Sequence, residues 1–143
     1  MIRTFLDASV LFAAVYSETG ASREIIRRAT RGEVSLVATR LVFEEARRNL
    51  QEKAPEEAPE LERFQGAVEF EMVRPTKQEV EEAKEYTATK DAPIVAAAKR
   101  ARVDYLVSLD RRHLVDVPQV AERSGVQIVL PGEILREIRK EEI

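Results

Sequence analysis

The sequence predicts an α/β fold of three layers, with helices on both faces of a central, mainly parallel sheet. Three observations carry this. Short apolar runs alternate along the chain with segments of helical period. Tyr105 to Leu109 is apolar except for Ser108, which suits a strand buried on both faces. Ala92 to Arg102, just before it, is alanine-rich with Pro93 in its first turn, so a helix feeds that strand directly.

In chain order, Ile2 to Leu6 is a strand that passes through Asp7, Ala8 and Ser9 into a buried helix, Val10 to Tyr16. Gly20, Ala21 and Ser22 open a second helix through Ile25, Ile26 and Ala29, with Arg23, Arg27, Arg28 and Arg31 on its outer face; Gly32 stops it. Val34 to Ala38 is the second strand. Thr39 is a good N-cap for the helix Arg40 to Lys53, whose apolar face is Leu41, Val42, Phe43, Ala46 and Leu50. At about 100° per residue, Glu45 and Asn49 fall inside that face, whereas Glu44 points to water. Gln51 to Arg63, with Pro55 and Pro59, reads as a loop entering a short helix near Leu61 and Phe64. Glu69 to Val73 is a third strand closed by Pro75, and Thr76 to Tyr86 a solvated amphipathic helix. Asp91 starts on the buried side of the next helix, Asp104 makes the turn, and Asp110 ends the strand Tyr105 to Leu109. Val117 to Arg123 is a helix stopped by Gly125, Val126 to Leu130 the last strand, and Pro131 to Glu142 a charged helix.

The 143 residues, 44% of them hydrophobic, are expected to form a single domain spanning 1–143 with a sizeable core. Cysteine is absent, which excludes thiol chemistry and disulfides and agrees with a reducing cytoplasm. A net charge of -3 is no nucleic-acid signature, yet 34% charged residues leave room for local basic patches. Phe5 to Tyr16 is too short for a membrane span and carries Asp7, so the protein is expected to be soluble and cytoplasmic, without a membrane partner.

Taken singly, Asp7, Asp91 and Asp110 are ordinary caps and turn formers. Their convergence is harder to explain by capping. Two of them end strands, Asp91 opens the helix feeding the second of those strands, and Glu45 lies on a buried helical face. Such a cluster of anions becomes tolerable around a divalent cation, and carboxylate oxygens suit Mg²⁺ or Mn²⁺. Without the cation, close like charges are expected to raise the pKa values of these acids. No other enzyme signature competes: Asp7-Ala8-Ser9 lacks the second Asp of a phospho-aspartate phosphatase, and no G-x-G-x-x-G follows a strand.

The stretches Leu6-Asp7-Ala8-Ser9-Val10-Leu11, Phe43-Glu44-Glu45, Lys90-Asp91-Ala92-Pro93-Ile94 and Asp104 to Asp110 together resemble the PIN domain over nearly the whole chain. The resemblance implies a Mg²⁺- or Mn²⁺-dependent endoribonuclease giving products with a 5′-phosphate. For a short standalone chain it implies the toxin of a toxin–antitoxin pair of the VapC kind. By that pattern Asp7, Glu45, Asp91 and Asp110 are the catalytic, metal-binding acids, and Ser9 and Ser108 support them through hydrogen bonds. Asn49, on the same helical face as Glu45, joins the supporting set. The sequence departs from the pattern in Thr39, where Ser is common, and in having no Asp or Asn within three residues after Asp110. Phosphate contacts are expected from Arg111, Arg112 and His113, and from Arg40, Arg47 and Arg48 or the arginines of the second helix. The expected partners are RNA, a small antitoxin protein and a second copy of the chain. The alternative is a catalytically inactive PIN-like module that binds RNA or protein without cutting.

Overall fold

Five strands, β1 (Arg3–Leu6), β2 (Ser35–Ala38), β3 (Glu71–Met72), β4 (Tyr105–Val107) and β5 (Gln127–Val129), form one all-parallel sheet in the order β3-β2-β1-β4-β5. This computed structural model describes residues 1–142; residue 143, the last of the expected domain, lies outside them. The helices are α1 (Ala8–Tyr16), α2 (Ala21–Thr30), α3 (Arg40–Lys53), α4 (Ala58–Ala67), α5 (Lys77–Ala83), α6 (Ala92–Ala101), α7 (Pro118–Ser124) and α8 (Pro131–Glu141). They fall into two packed groups, α1 to α4 with α8, and α5 to α7. Parallel strands need crossovers, and crossovers of one hand put helices that run in opposite directions along the sheet on opposite faces. The result is the expected three-layer α/β/α arrangement.

Phe5, Leu6, Leu36, Val37, Leu106 and Val107 are all buried, so the central strands are covered on both faces, as consecutive apolar residues in each of them require. The outer strand β3 is shorter than the expected Glu69 to Val73, and both its residues are exposed. Its Glu71 carboxylate is held by Arg3 of β1 at 2.7 Å.

Three local expectations are corrected. The fourth strand ends at Val107 rather than Leu109. Ser108 N–H still donates to Val129 O, but Leu109 N–H turns to the Ser9 hydroxyl and its side chain is exposed. Gln51 to Arg63 is mostly helical, because its prolines start helices rather than interrupt them. Pro55 opens a 3₁₀ turn through Glu57, and Pro59 sits in the first turn of α4, where a missing N–H costs nothing. The all-round burial expected of α1 fails at Tyr16, which is exposed and stacks on Phe12 at 5.6 Å.

Of the four arginines expected on the outer face of α2, Arg31 is exposed without an ion pair among the described residues, but the other three are engaged within the fold. Arg23 donates to the carbonyls of Ala14 and Val15 at the end of α1 and lies over the Phe64 ring at 5.0 Å. Those carbonyls have no partner within a helix that stops at Tyr16, so the guanidinium serves as its C-terminal cap. Arg28 is bound by Glu24, Glu33 and Glu142, and Arg27 by Glu24 and the Glu18 carbonyl. Arg23→Ala is therefore expected to lower stability by about 2 kcal/mol in urea unfolding, the scale of lost charge-assisted hydrogen bonds and stem packing. An unchanged midpoint would return Arg23 to the solvated surface.

Candidate functional site

The strand order reverses between β1 and β4, since β1 leads on to β2 on one side and β4 to β5 on the other. Crossovers leaving to opposite faces open a crevice at the carboxyl ends of that pair, the place where open α/β sheets bind ligands. The register pairs Leu6 with Val107, so Asp7 and Ser108 emerge there side by side. Asp7 N–H donates to Val107 O at 3.0 Å. Asp7 Oδ1 accepts the Ala8 N–H at 2.7 Å, and Oδ2 accepts the hydroxyls of Ser108 at 2.7 Å and Ser9 at 3.2 Å. The carboxylate is only 7% exposed. Burial pushes its pKa up, against the opposing hydrogen bonds from Ser108, Ala8 and Ser9, and the charge of Asp110 adds to the rise.

Beyond β4 the chain folds back on Ser108, whose hydroxyl accepts the Asp110 N–H at 3.0 Å while donating to Asp7. One hydroxyl thus ties both acids. Asp110 Oδ1 accepts the His113 N–H at 3.0 Å and caps a π-type turn, Arg111–Val115. That turn brings His113 Nδ1 to 3.3 and 3.2 Å from the two Asp110 oxygens, and Lys90 Nζ stands 3.5 Å from Oδ2. Partial burial pushes the Asp110 carboxyl up, but the His113 backbone N–H, the His113 ring and Lys90 outweigh it, and the net shift is downward.

Asp91 ends a 3₁₀ turn, Thr89–Asp91, immediately before α6, yet its side chain makes no capping hydrogen bond. It is 6% exposed, and its Oδ2 is buried without a partner. A buried polar atom left unpaired costs free energy, so capping does not account for it. Burial raises its pKa first; Lys90 opposes, and Asp110 and Asp7 raise it further. Asp91, Asp110 and His113 each offer a ligand atom, all within 4.8 Å of one another. The donor chemistry, mostly carboxylate oxygen with one buried orphan, fits a divalent cation.

The structure brings Asp7, Asp91 and Asp110 to one edge, close enough for Asp7 and Asp110 to raise the Asp91 pKa; the group within 4.8 Å is Asp91, Asp110 and His113, and neither Asp7 nor Glu45 belongs to it. Glu45 and Asn49 are half-buried on α3, and their side chains make no hydrogen bond or ion pair among the described residues. The fully buried position expected for Glu45 is corrected to a half-buried one, because the Leu41 side of α3 is itself exposed. Glu44 is exposed and paired with Arg40 at 3.0 Å. Arg48 and Arg112 are exposed without an ion pair among the described residues, and Arg40 is 90% exposed. Arg111 is paired with Asp116 and Arg47 with Glu62. His113 is not a free surface group but a neighbour of Asp110. Sequence reasoning missed Lys90 and the His113 ring as partners of that acid, although the three-residue spacing from Asp110 to His113 was a signal.

An α/β protein with acids gathered at its topological switch point is the class that this geometry defines. A PIN domain family model matches residues 3–112, and the chain belongs to that family. No curated protein matches the chain in sequence. Among solved structures, PAE2754 from Pyrobaculum aerophilum is 17% identical with a TM-score of 0.68, covering 97% of this chain and 90% of its own. VapBC from Salmonella typhimurium, solved bound to DNA, is 15% identical with a TM-score of 0.65, covering 92% and 99%. VapC20 from Mycobacterium tuberculosis, described as a sarcin–ricin loop cleaving toxin, is 17% identical with a TM-score of 0.54, covering 76% and 91%.

The raised pKa values of Asp7 and Asp91 mean that the folded state holds their protons more tightly than the unfolded chain does. Their stability cost is absent below the ordinary value of 3.8 and complete above the folded pKa. Asp110 is the reverse: its contribution is present above 3.8 and is lost as pH falls through its lowered value. Near neutral pH and in chelator, Asp91→Asn should melt above the parent and Asp110→Asn below it, with both differences closing in acid. Melts in which Asp91→Asn is the less stable variant at neutral pH would make Asp91 a structural residue.

Proposed function

We propose that the chain is a divalent-metal-dependent endoribonuclease, the toxin of a VapC-type toxin–antitoxin pair, acting as a single PIN unit over 1–143 in the cytoplasm. The observation that carries this reading is the convergence of Asp7, Asp91 and Asp110 at the β1–β4 switch point, with Asp91 Oδ2 buried and unpartnered. Asp7, Asp91 and Asp110 would hold Mg²⁺ or Mn²⁺, with Glu45 reaching in from α3. The bound cation supplies the charge that activates water and stabilises a leaving oxygen. Ser108 and Ser9 fix the Asp7 carboxylate by donating to Oδ2, and Ser108 sets the height of Asp110. Arg112 and Arg48 are available for phosphate oxygens, and the 90% exposed Arg40 can turn to them from its surface pair with Glu44, whereas Arg23, Arg27 and Arg28 are engaged within the fold. Asn49 lies one turn from Glu45 and can support it or the RNA strand.

Family membership supports nuclease chemistry. The likeness to VapBC complexes and to the sarcin–ricin loop cleaving VapC20 supports a small antitoxin partner and an RNA substrate. A homodimer completes the proposal.

Cleavage of single-stranded or loop RNA should require added metal and vanish in excess EDTA. Asp110→Asn should cost about a thousandfold, the ~4 kcal/mol scale of lost metal stabilisation. Glu45→Gln should also cost activity heavily while Glu44→Gln stays near the parent, as exposed substitutions do. Cleavage that persists in EDTA, or in Asp110→Asn, contradicts the reading.

A further inference from the structure

We infer that His113 supplies a ring nitrogen to the cation site of Asp91 and Asp110, and that this nitrogen makes the site select a first-row transition ion such as Mn²⁺ over Mg²⁺. The inference rests on the metal-dependent reading above and names the ion.

The observation behind it is positional. In the three residues after Asp110 this chain has Arg111, Arg112 and His113. The first two are exposed, but His113 is half-buried. Its ring is folded back by its own backbone, since its N–H is the donor to Asp110 Oδ1, and Leu114 next to it is fully buried and anchors the turn. Nδ1 therefore stands 3.3 and 3.2 Å from the two carboxylate oxygens. Two neighbouring donors on one cation, each about 2.1 to 2.2 Å from it, lie about 3 Å apart, so this spacing needs little change to take an ion.

A second, independent observation points to the same place. Asp91 Oδ2 is buried and bonded to nothing, and Asp91 shares the 4.8 Å cluster with Asp110 and His113. Lys90 Nζ stands 3.5 Å from Asp110 Oδ2 and its side chain is more than half exposed, so it can leave when a cation enters.

The selectivity follows from donor chemistry. Mg²⁺ favours six oxygens and sheds its water reluctantly, so an imidazole adds little for it. First-row transition ions accept imidazole readily. A neutral imidazole in the ligand set adds a nitrogen donor without adding negative charge, which helps Mn²⁺ more than Mg²⁺.

The test is calorimetric titration of the full chain with MnCl₂ and with MgCl₂, together with pulsed electron paramagnetic resonance of the Mn²⁺-loaded protein. The parent should bind Mn²⁺ at least about tenfold more tightly than Mg²⁺, the scale on which single ligand-shell groups act. Its spectrum should show nitrogen-14 coupling. His113→Ala should lose about tenfold in Mn²⁺ affinity with little change for Mg²⁺ and no nitrogen coupling, and His113→Asp should shift the preference back toward Mg²⁺. Should His113→Ala fail to fold, the parent's spectrum alone decides. Absence of nitrogen coupling in the parent, or an Mn²⁺ to Mg²⁺ ratio that is the same in folded parent and His113→Ala, overturns the inference and leaves the nuclease reading standing. A parent that binds neither ion overturns both.

Discussion

The parallel pairing of β1 with β4 is the constraint on which the site depends. With Leu6 opposite Val107, the two chains leave the sheet at the same height, and Asp7 and Ser108 meet. A slip of one residue would turn every side chain of a strand to the other face; with both faces buried at Phe5, Leu6, Leu106 and Val107, each side chain would then meet a space packed around a neighbour of different shape. The apolar core therefore fixes the position of a polar group. Ser108 then carries that position onward, because its hydroxyl donates to Asp7 and accepts from the Asp110 backbone. Asp91 arrives by another route, at the start of the helix that crosses back over the sheet to feed β4.

The three acids are not equivalent. Asp7 and Asp91 are buried, and burial is the largest cause of their raised pKa values, with like-charge repulsion adding to it. The expectation that repulsion would raise all of them is corrected at Asp110, where His113 and Lys90 shift the carboxyl downward. The edge thus combines two acids that destabilise the metal-free fold with one that is already compensated. A divalent cation would relieve the first two and compete with Lys90 for the third. This asymmetry explains how three carboxylates share one crevice in a stable fold.

Much of this was legible in the sequence, for physical reasons that also mark where reading stopped. Continuous apolar runs and alanine-rich period revealed the parallel strands and α6, because burial on two faces leaves no alternation to hide the signal. The direction of Glu44 followed from helical angle alone. What failed was whatever depends on a neighbour distant in sequence. Arg23 has the helical position of a surface residue, and only the arrival of α1 and Phe64 makes it a cap. The degree of burial of Glu45 depends on what covers α3, which period cannot report. Pro55 and Pro59 read as breakers, although their spacing also suits two helix starts. The ring of His113 was the nearest miss, being governed by a hydrogen bond to a residue only three positions back.

The central claim is that the acids at the β1–β4 edge form one cation site. Thermal melting of the parent chain across a Mn²⁺ titration tests it most directly. Binding to the folded state alone raises stability as RT ln(1 + [Mn²⁺]/Kd), so the melting temperature should climb with concentration without a plateau at low excess. The same titration on Asp7→Asn, which removes a charge while keeping a capping residue, should give a much smaller climb. A parent whose melting temperature ignores Mn²⁺, or an Asp7→Asn variant that responds as the parent does, would contradict the account.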